Sequence, residues 1–296
     1  PDGARRGLAE NERFIRAGGR GLVGIHAAFT CSDASLRAAA DLASELGVGV
    51  HIHVCEGPGD VDAPDRLAGL TRDDWLLAHG VHLPTDHALR GTILHNPMSN
   101  LNNAVGYANP ARFRGRVALG TDGIGGNVLE AFRLAYVLQR SVDVTCGPST
   151  AWSWLEAGWD LVPEAKGDEV TWSYDLMDPW HVAFTPGIRP LRVVVGGEVV
   201  LADGRPTRVD AGEIRAAGQP LRDVAERVAV QVPQVVDGDL PRQELGQPLG
   251  AQLGDERRVV DGGVGAQDQQ RSRAAEHEDA FHADRPLSRL ASRVSR

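Results

Sequence analysis

Five short apolar runs, each carrying a histidine or aspartate at or near its end, constrain this chain most. They cover residues 21–29, 48–54, 75–79, 92–95 and 117–121, and the polar residues are His26, His53, His79, His95 and Asp122. Helix-like sequence lies between several of them. Leu8, Phe14 and Ile15 are the apolar positions of a helix over 4–17. Ser32 fits an N-cap for the alanine-rich stretch 34–46, and Gly47 its end. Residues 128–142 again place apolar residues at helical spacing. Strands spaced by helices predict an α/β fold of parallel β/α units. The C-terminal strand ends are where (β/α)-barrel enzymes keep their chemistry. Five strands are visible and closure takes eight. The expected fold is therefore the C-terminal part of a TIM-like barrel, its fourth to eighth strands, with three strands before residue 1. Residue 1 is proline, not methionine, so the chain reads as cut from a longer one.

The texture changes near residue 163. Residues 191–195 and 198–202 around Gly196-Gly197 predict a β-hairpin, and 210–226 a surface helix. From about Val232 the chain is rich in Gly, Gln, Arg and Asp without a sustained period, which predicts disorder, or an out-of-frame reading of the gene. The expected division is a partial barrel over 1–162, a remnant of a small β-sandwich with a helix over 163–231, and a low-complexity tail over 232–296.

A net charge of −9 argues against a nucleic-acid partner. No run of 18 apolar residues exists, which argues against a membrane span. Cys31, Cys55 and Cys146 are isolated and odd in number, so they read as reduced thiols of a cytoplasmic protein.

The chemistry concentrates in two lines. His53-Val54-Cys55-Glu56 closes one apolar run and Gly120-Thr121-Asp122-Gly123 another. A histidine and an aspartate on separate strand ends can hold one divalent ion, and a glutamate three residues after the histidine can carry protons. His51 reads as packed or hydrogen-bonded on the other strand face.

GIHAAFTCSD, HIHVCE, LLAHGVHL, ILHNPMSNLNNAVGYA and ALGTDG, in this order, resemble the deaminase/chlorohydrolase branch of the metal-dependent amidohydrolases, with the SsnA-type aminohydrolases nearest. DGARRGLAENERFIR and DPWHVAFTP followed by VVVGGEVVLADGR extend the likeness across residues 1–228. The resemblance implies a TIM-like barrel with a small β-sandwich and one divalent ion, zinc by preference. The family's metal ligands fall on His53 and Asp122, its proton-shuttling glutamate on Glu56, and its carbonyl-polarising histidine on His79. Asp122 doubles as the group that accepts the water proton. His26, His95, Asn96, Ser99, Asn100 and Asn103 would line a pocket for a small-molecule substrate. The implied reaction is hydrolysis of a C–N bond in a cyclic amidine or a related small molecule. A homo-oligomer is left open.

Two features depart from the family. The expected earlier His-x-His is absent, which leaves an inactive scaffold or binding protein of the same fold as the rival reading. Residues 57–74 and 83–91 look short by roughly a helix in total, although a parallel crossover needs a dozen residues or more.

Overall fold

A computed structural model describes residues 2–219. Pro1–Thr207 form one compact unit and Arg208–Arg296 a second, of which 208–219 are described and 211–219 are helical. The expectations for the tail, and for the helix beyond 219, lie outside the described residues.

The first part of the larger unit alternates helix and strand in chain order: α1 (Asp2–Arg16), β1 (Val23–Ala27), α2 (Asp33–Leu46), β2 (Val50–Val54), α3 (Ala63–Leu67), β3 (Leu76–His79), β4 (Thr92–His95), α4 (Pro97–Asn102), β5 (Arg116–Leu119), α5 (Val128–Val142) and α6 (Pro148–Leu161). The five strands form one parallel sheet in the order β1-β2-β3-β4-β5. Among the described residues, β1 and β5 each have one strand neighbour.

Local chemistry explains the element ends. The Ser32 hydroxyl accepts from the Ser35 amide at 3.2 Å, so it caps α2. Gly47 closes that helix in the left-handed region, φ 68°. The Asn127 side chain accepts from the Leu129 and Glu130 amides and starts α5. The connection from β2 to β3 holds only a 3₁₀ turn and the short α3, and none of the described helices lies between β3 and β4. These are the two connections that look short in the sequence.

The strand period decides which face carries chemistry. Val50, Ile52 and Val54 are fully buried, in a core with Leu36, Ala39 and Ala43 of α2, while His51 and His53 share the other, half-buried face. Cross-strand register continues that face, since His53 pairs with Ala78 and Ala78 with Leu94. His95, next along β4, therefore points to the opposite side.

The chain continues with β6 (Glu169–Trp172), α7 (Pro179–Phe184), β7 (Pro190–Val195), β8 (Glu198–Ala202) and β9 (Arg205–Pro206). These four strands form an antiparallel sheet in chain order. The hairpin expected around Gly196-Gly197 is β7–β8, and both glycines have positive φ, 57° and 84°. A two-residue loop requires that conformation when its twist follows the strands.

Two other glycines allow the parallel strands to approach. A Cβ on Gly49 would lie 1.9 Å from the Asp74 carbonyl oxygen, and one on Gly91, at φ 127°, would lie 2.6 Å from that of Trp75. Backbone cannot yield as a side-chain tip can. Gly49→Ala and Gly91→Ala should each destabilise the fold by about 1–3 kcal/mol. Gly115→Ala, with nothing within 4 Å, should stay within about 0.5 kcal/mol. Urea midpoints of the three variants check this, and equal midpoints would mean that the close approaches are not tight in solution.

Candidate active site

The strand ends bring four polar side chains together. Ligand-capable atoms of His53, Glu56 and His79 all lie within 4.8 Å of one another. His79 Nε2 stands 3.6 Å from Glu56 Oε2 and 3.8 Å from Asp122 Oδ2. The chain leaves the sheet here through left-handed residues, with φ 51° at Cys55, 74° at His79 and 53° at Asp122. Residues with a Cβ enter that region at a cost of about 1–3 kcal/mol, so the surrounding contacts must hold them there. Asp60 supplies one such hold. Its buried carboxylate accepts from the Cys55 amide at 2.8 Å and the Phe29 amide at 3.1 Å, tying the ends of β1 and β2 together. Burial raises the pKa of this carboxyl, while the two amides lower it.

Helix α4 and the residue after it hold these side chains from the far side. Ser99 donates to Asp122 Oδ2 at 2.6 Å. Asn100 Oδ1 stands 2.8 Å from His79 Nδ1. Asn103 donates to Glu56 Oε1 at 3.2 Å and to Ser99 Oγ at 3.4 Å. Ser99 and Asn100 are buried, as is His79 at 1 % exposure. These residues, expected from the family likeness to contact substrate, thus touch the site's own side chains.

The electrostatics favour neutral rings at His51 and His53 and an ionised Asp122. Burial first, then the neighbouring histidines, lowers the pKa of His53, and burial followed by His79 lowers that of His51. The Ser99 hydrogen bond, helped by the Gly123 amide, holds Asp122 below the ordinary carboxylate range. His53 Nδ1 is buried and has no hydrogen-bond partner among the described residues.

The other expected residues distribute unevenly. His26 stands edge-on to His53, with ring centroids 5.3 Å apart, and its Nδ1 lies 3.2 Å from Thr30 Oγ1. His51, expected on the opposite strand face, is on the same face as His53, with centroids 5.8 Å apart. Residues two apart in a strand share a face, and the two-residue period of β2 puts His51 beside His53. Asn96 is buried beside Gly120, where a Cβ would come within 2.1 Å of Asn96 Oδ1. His95 is fully buried, edge-on to Tyr107 at 5.7 Å and Trp154 at 6.4 Å, with both ring nitrogens unpartnered among the described residues. A shallow cavity of about 230 Å³ opens beside Glu56, lined by Phe29, Gly57, Gly59, Asp60 and Val105.

The positioning work of Asp60 has no motif behind it. Its signal was one of three aspartates in a Gly- and Pro-rich turn over residues 57–65, a pattern shared by ordinary surface loops.

Comparison with known proteins gives the arrangement a family. A 5-methylthioadenosine/S-adenosylhomocysteine deaminase of Desulforudis audaxviator is 35 % identical over 167 residues, which cover 46 % of this chain and 39 % of that protein. A 5'-deoxyadenosine deaminase of Methanopyrus kandleri is 33 % identical over 162 residues, covering 45 % and 38 %. The chain thus spans about two fifths of the length of these relatives. An adenosine deaminase from Xanthomonas campestris, solved with bound zinc, superposes with a TM-score of 0.60 at 21 % identity, covering 70 % of this chain and 57 % of that one. An atrazine chlorohydrolase mutant from Arthrobacter aurescens, complexed with zinc and atraton, gives 0.56 at 19 % identity, covering 74 % and 60 %. At these identities the structural likeness speaks for the fold. Residues 3–157, more than half of the sequence, match the family model itself, and the chain belongs to the Amidohydrolase family.

Proposed function

We propose that the chain carries the C-terminal part of an aminohydrolase site, of deaminase type, acting on a C–N bond at an sp² carbon of a cyclic amidine or a related small amine. The observation that carries this reading is the convergence of His53, Glu56 and His79 within 4.8 Å, with Asp122 next to His79. The deaminase relatives support the reaction class.

The donor set fits a divalent ion. Two imidazoles and two carboxylates suit zinc, and the unpartnered His53 Nδ1 is a buried polar atom that needs a partner. His53 and Asp122 would hold the ion, with His79 close by. When bound, the ion supplies the Lewis acidity that brings the pKa of water to about 7.

The remaining chemistry belongs to the side chains. Asp122, ionised and oriented by Ser99, can accept a proton. Glu56 can deliver one to a ring or amidine nitrogen and then to the departing ammonia. His79 faces both carboxylates at Nε2 and can orient the attacking group by taking its proton, after which the Nε2–H can polarise the reacting carbon's substituent. Substrate would enter beside Glu56, past Phe29 and Val105, with His26, Asn96 and residues 99–103 around it, while His95 packs on Tyr107 and Trp154.

We read the five-stranded sheet as strands four to eight of an eight-stranded barrel, the antiparallel strands β6–β9 as part of the small sandwich, and the missing strands as sequence outside these 296 residues. The linear strand order and the partial coverage of every relative cited above support this. The missing His-x-His favours one rival, a non-catalytic scaffold of the same family.

Cobalt(II) titration of the chain, followed by its visible absorption, separates the two. Binding that His53→Ala weakens by at least about 10-fold supports the site. Binding unchanged in His53→Ala, or none at millimolar cobalt, favours the scaffold.

A further inference from the structure

Three hydrogen bonds run from one short segment to three different reactive groups: Ser99 to Asp122, Asn100 to His79, and Asn103 to Glu56. The donors and acceptors sit at sequence offsets 0, 1 and 4, on α4 and the residue that caps it. The Asn103 amide returns to the Ser99 carbonyl at 2.9 Å, so the last turn is itself closed. A single rigid turn therefore sets the orientation of three side chains that come from three different strand ends.

We propose that this turn is the positioning device of the site, and that Asn100 is its centre, fixing His79 as the tautomer protonated at Nδ1. The inference deepens the aminohydrolase reading and rests on it for its use, but its geometry stands alone. Asn100 Oδ1 can only accept, so the His79 nitrogen 2.8 Å away must donate. Both residues are 1 % exposed, and water cannot replace the bond. Nε2 is then left with its lone pair toward Glu56 and Asp122, at 3.6 and 3.8 Å. A neutral histidine so fixed can accept a proton or meet a cation on that side. The other tautomer would present an N–H there and could do neither. Asn100 touches no reacting atom in this role and acts through His79.

Nitrogen-15 NMR of the histidine rings reads the tautomer directly, without metal or turnover. The sample is the full chain treated with chelator, at about pH 8, above the usual imidazole range near 6.5. The expected wild-type spectrum shows His79 protonated at Nδ1 and bare at Nε2, assigned by its loss in His79→Gln. Asn100→Asp keeps an acceptor and should keep this pattern. Asn100→Leu removes the acceptor and should shift the ring to a mixture or to the Nε2–H form. Ser99→Ala should leave the pattern unchanged, because its bond goes to Asp122. A wild-type ring protonated at Nε2 would overturn the proposal, as would an Asn100→Leu protein with an unchanged pattern. If Asn100→Leu does not fold, the wild-type and Asn100→Asp spectra decide alone. A failed tautomer test leaves the aminohydrolase reading standing. A chain that lacks metal binding but shows the Nδ1–H ring fails that reading and keeps the clamp.

Discussion

Fusing this chain behind a segment that supplies three further β/α units, the first strand ending in His-x-His, should raise zinc retention and ammonia release at least about 100-fold over the chain alone. The expectation rests on ligand count. A catalytic zinc site uses three protein ligands and an open position. The family likeness assigns two of this chain's residues, His53 and Asp122, and places the other two ligands on an earlier strand. Glu56 and His79 are near enough to assist, but a glutamate that ligates is lost as a proton carrier. Removing even outer partners of a metal site costs roughly 10–100-fold in affinity or activity, and a missing ligand pair costs more. Elemental analysis after dialysis measures retention. Ammonia release over purines, pyrimidines and triazines measures turnover. Near-stoichiometric zinc with turnover in the 296-residue chain would refute the expectation, and His51, beside His53 on the same face, would be the first residue to examine as the extra ligand. In the fusion, Glu56→Gln should keep the metal and lose about 10²–10⁴-fold in rate.

The parallel part of the fold was legible because its signals are local and agree with each other. Ser32 and Gly47 bracket α2, Asn127 starts α5 at the residue where the apolar spacing begins, and β4 spans the four residues read as a strand. The elements that escaped lack such signals. Helix α6 begins with Pro148 after Gly147, without a side-chain cap, and buries Trp152 and Trp154. Phe132 of α5 meets Trp152 edge-on at 5.1 Å. Tertiary packing, more than propensity, stabilises this helix. Short β6 and α7 fail for the same reason, since four to six residues carry too little period to register.

The site divides along a similar line. His53, Glu56, His79 and Asp122 could be expected near one another from the sequence because each stands at or just past the C-terminal end of a strand, and the left-handed turn at His79 brings its ring over although its strand partner is Val54. What holds them could not. Asp60 lies four residues beyond Glu56 in a turn, and its carboxylate finds amides just past the ends of two different strands. The partners of Ser99, Asn100 and Asn103 depend on how α4 lies over the strand ends, which no spacing encodes. His95 takes a different course. It ends a strand as His53 does, but it sits one residue out of phase with the face that Leu94 shares with His53, so the pleat turns it toward α6.

That phase has a consequence in acid. His95 has no exposed surface, its ring nitrogens lack partners among the described residues, and it packs on Tyr107 and Trp154. Burial, with a smaller contribution from the charge of His79, pushes its pKa down from 6.5 to about 3. In the unfolded chain the same ring titrates near 6.5. Between these values the unfolded state binds a proton that the folded state refuses, so stability falls as pH drops from about 6.5 towards 3. The full gap corresponds to at most about 5 kcal/mol, at about 1.4 kcal/mol per unit. His51, His53 and His87, also lowered chiefly by burial, add to the same acid limb. His95→Leu removes the largest single share and places an apolar side chain among apolar neighbours. The variant should match the wild type at pH 7 within about 1.5 kcal/mol and exceed it by several kcal/mol near pH 4. Urea denaturation at both values measures the difference. Parallel acid limbs in the two proteins would show that His95 reaches water or a proton partner in solution. The buried packing against Trp154 would then be wrong, and a substrate-facing His95 would again be the better reading.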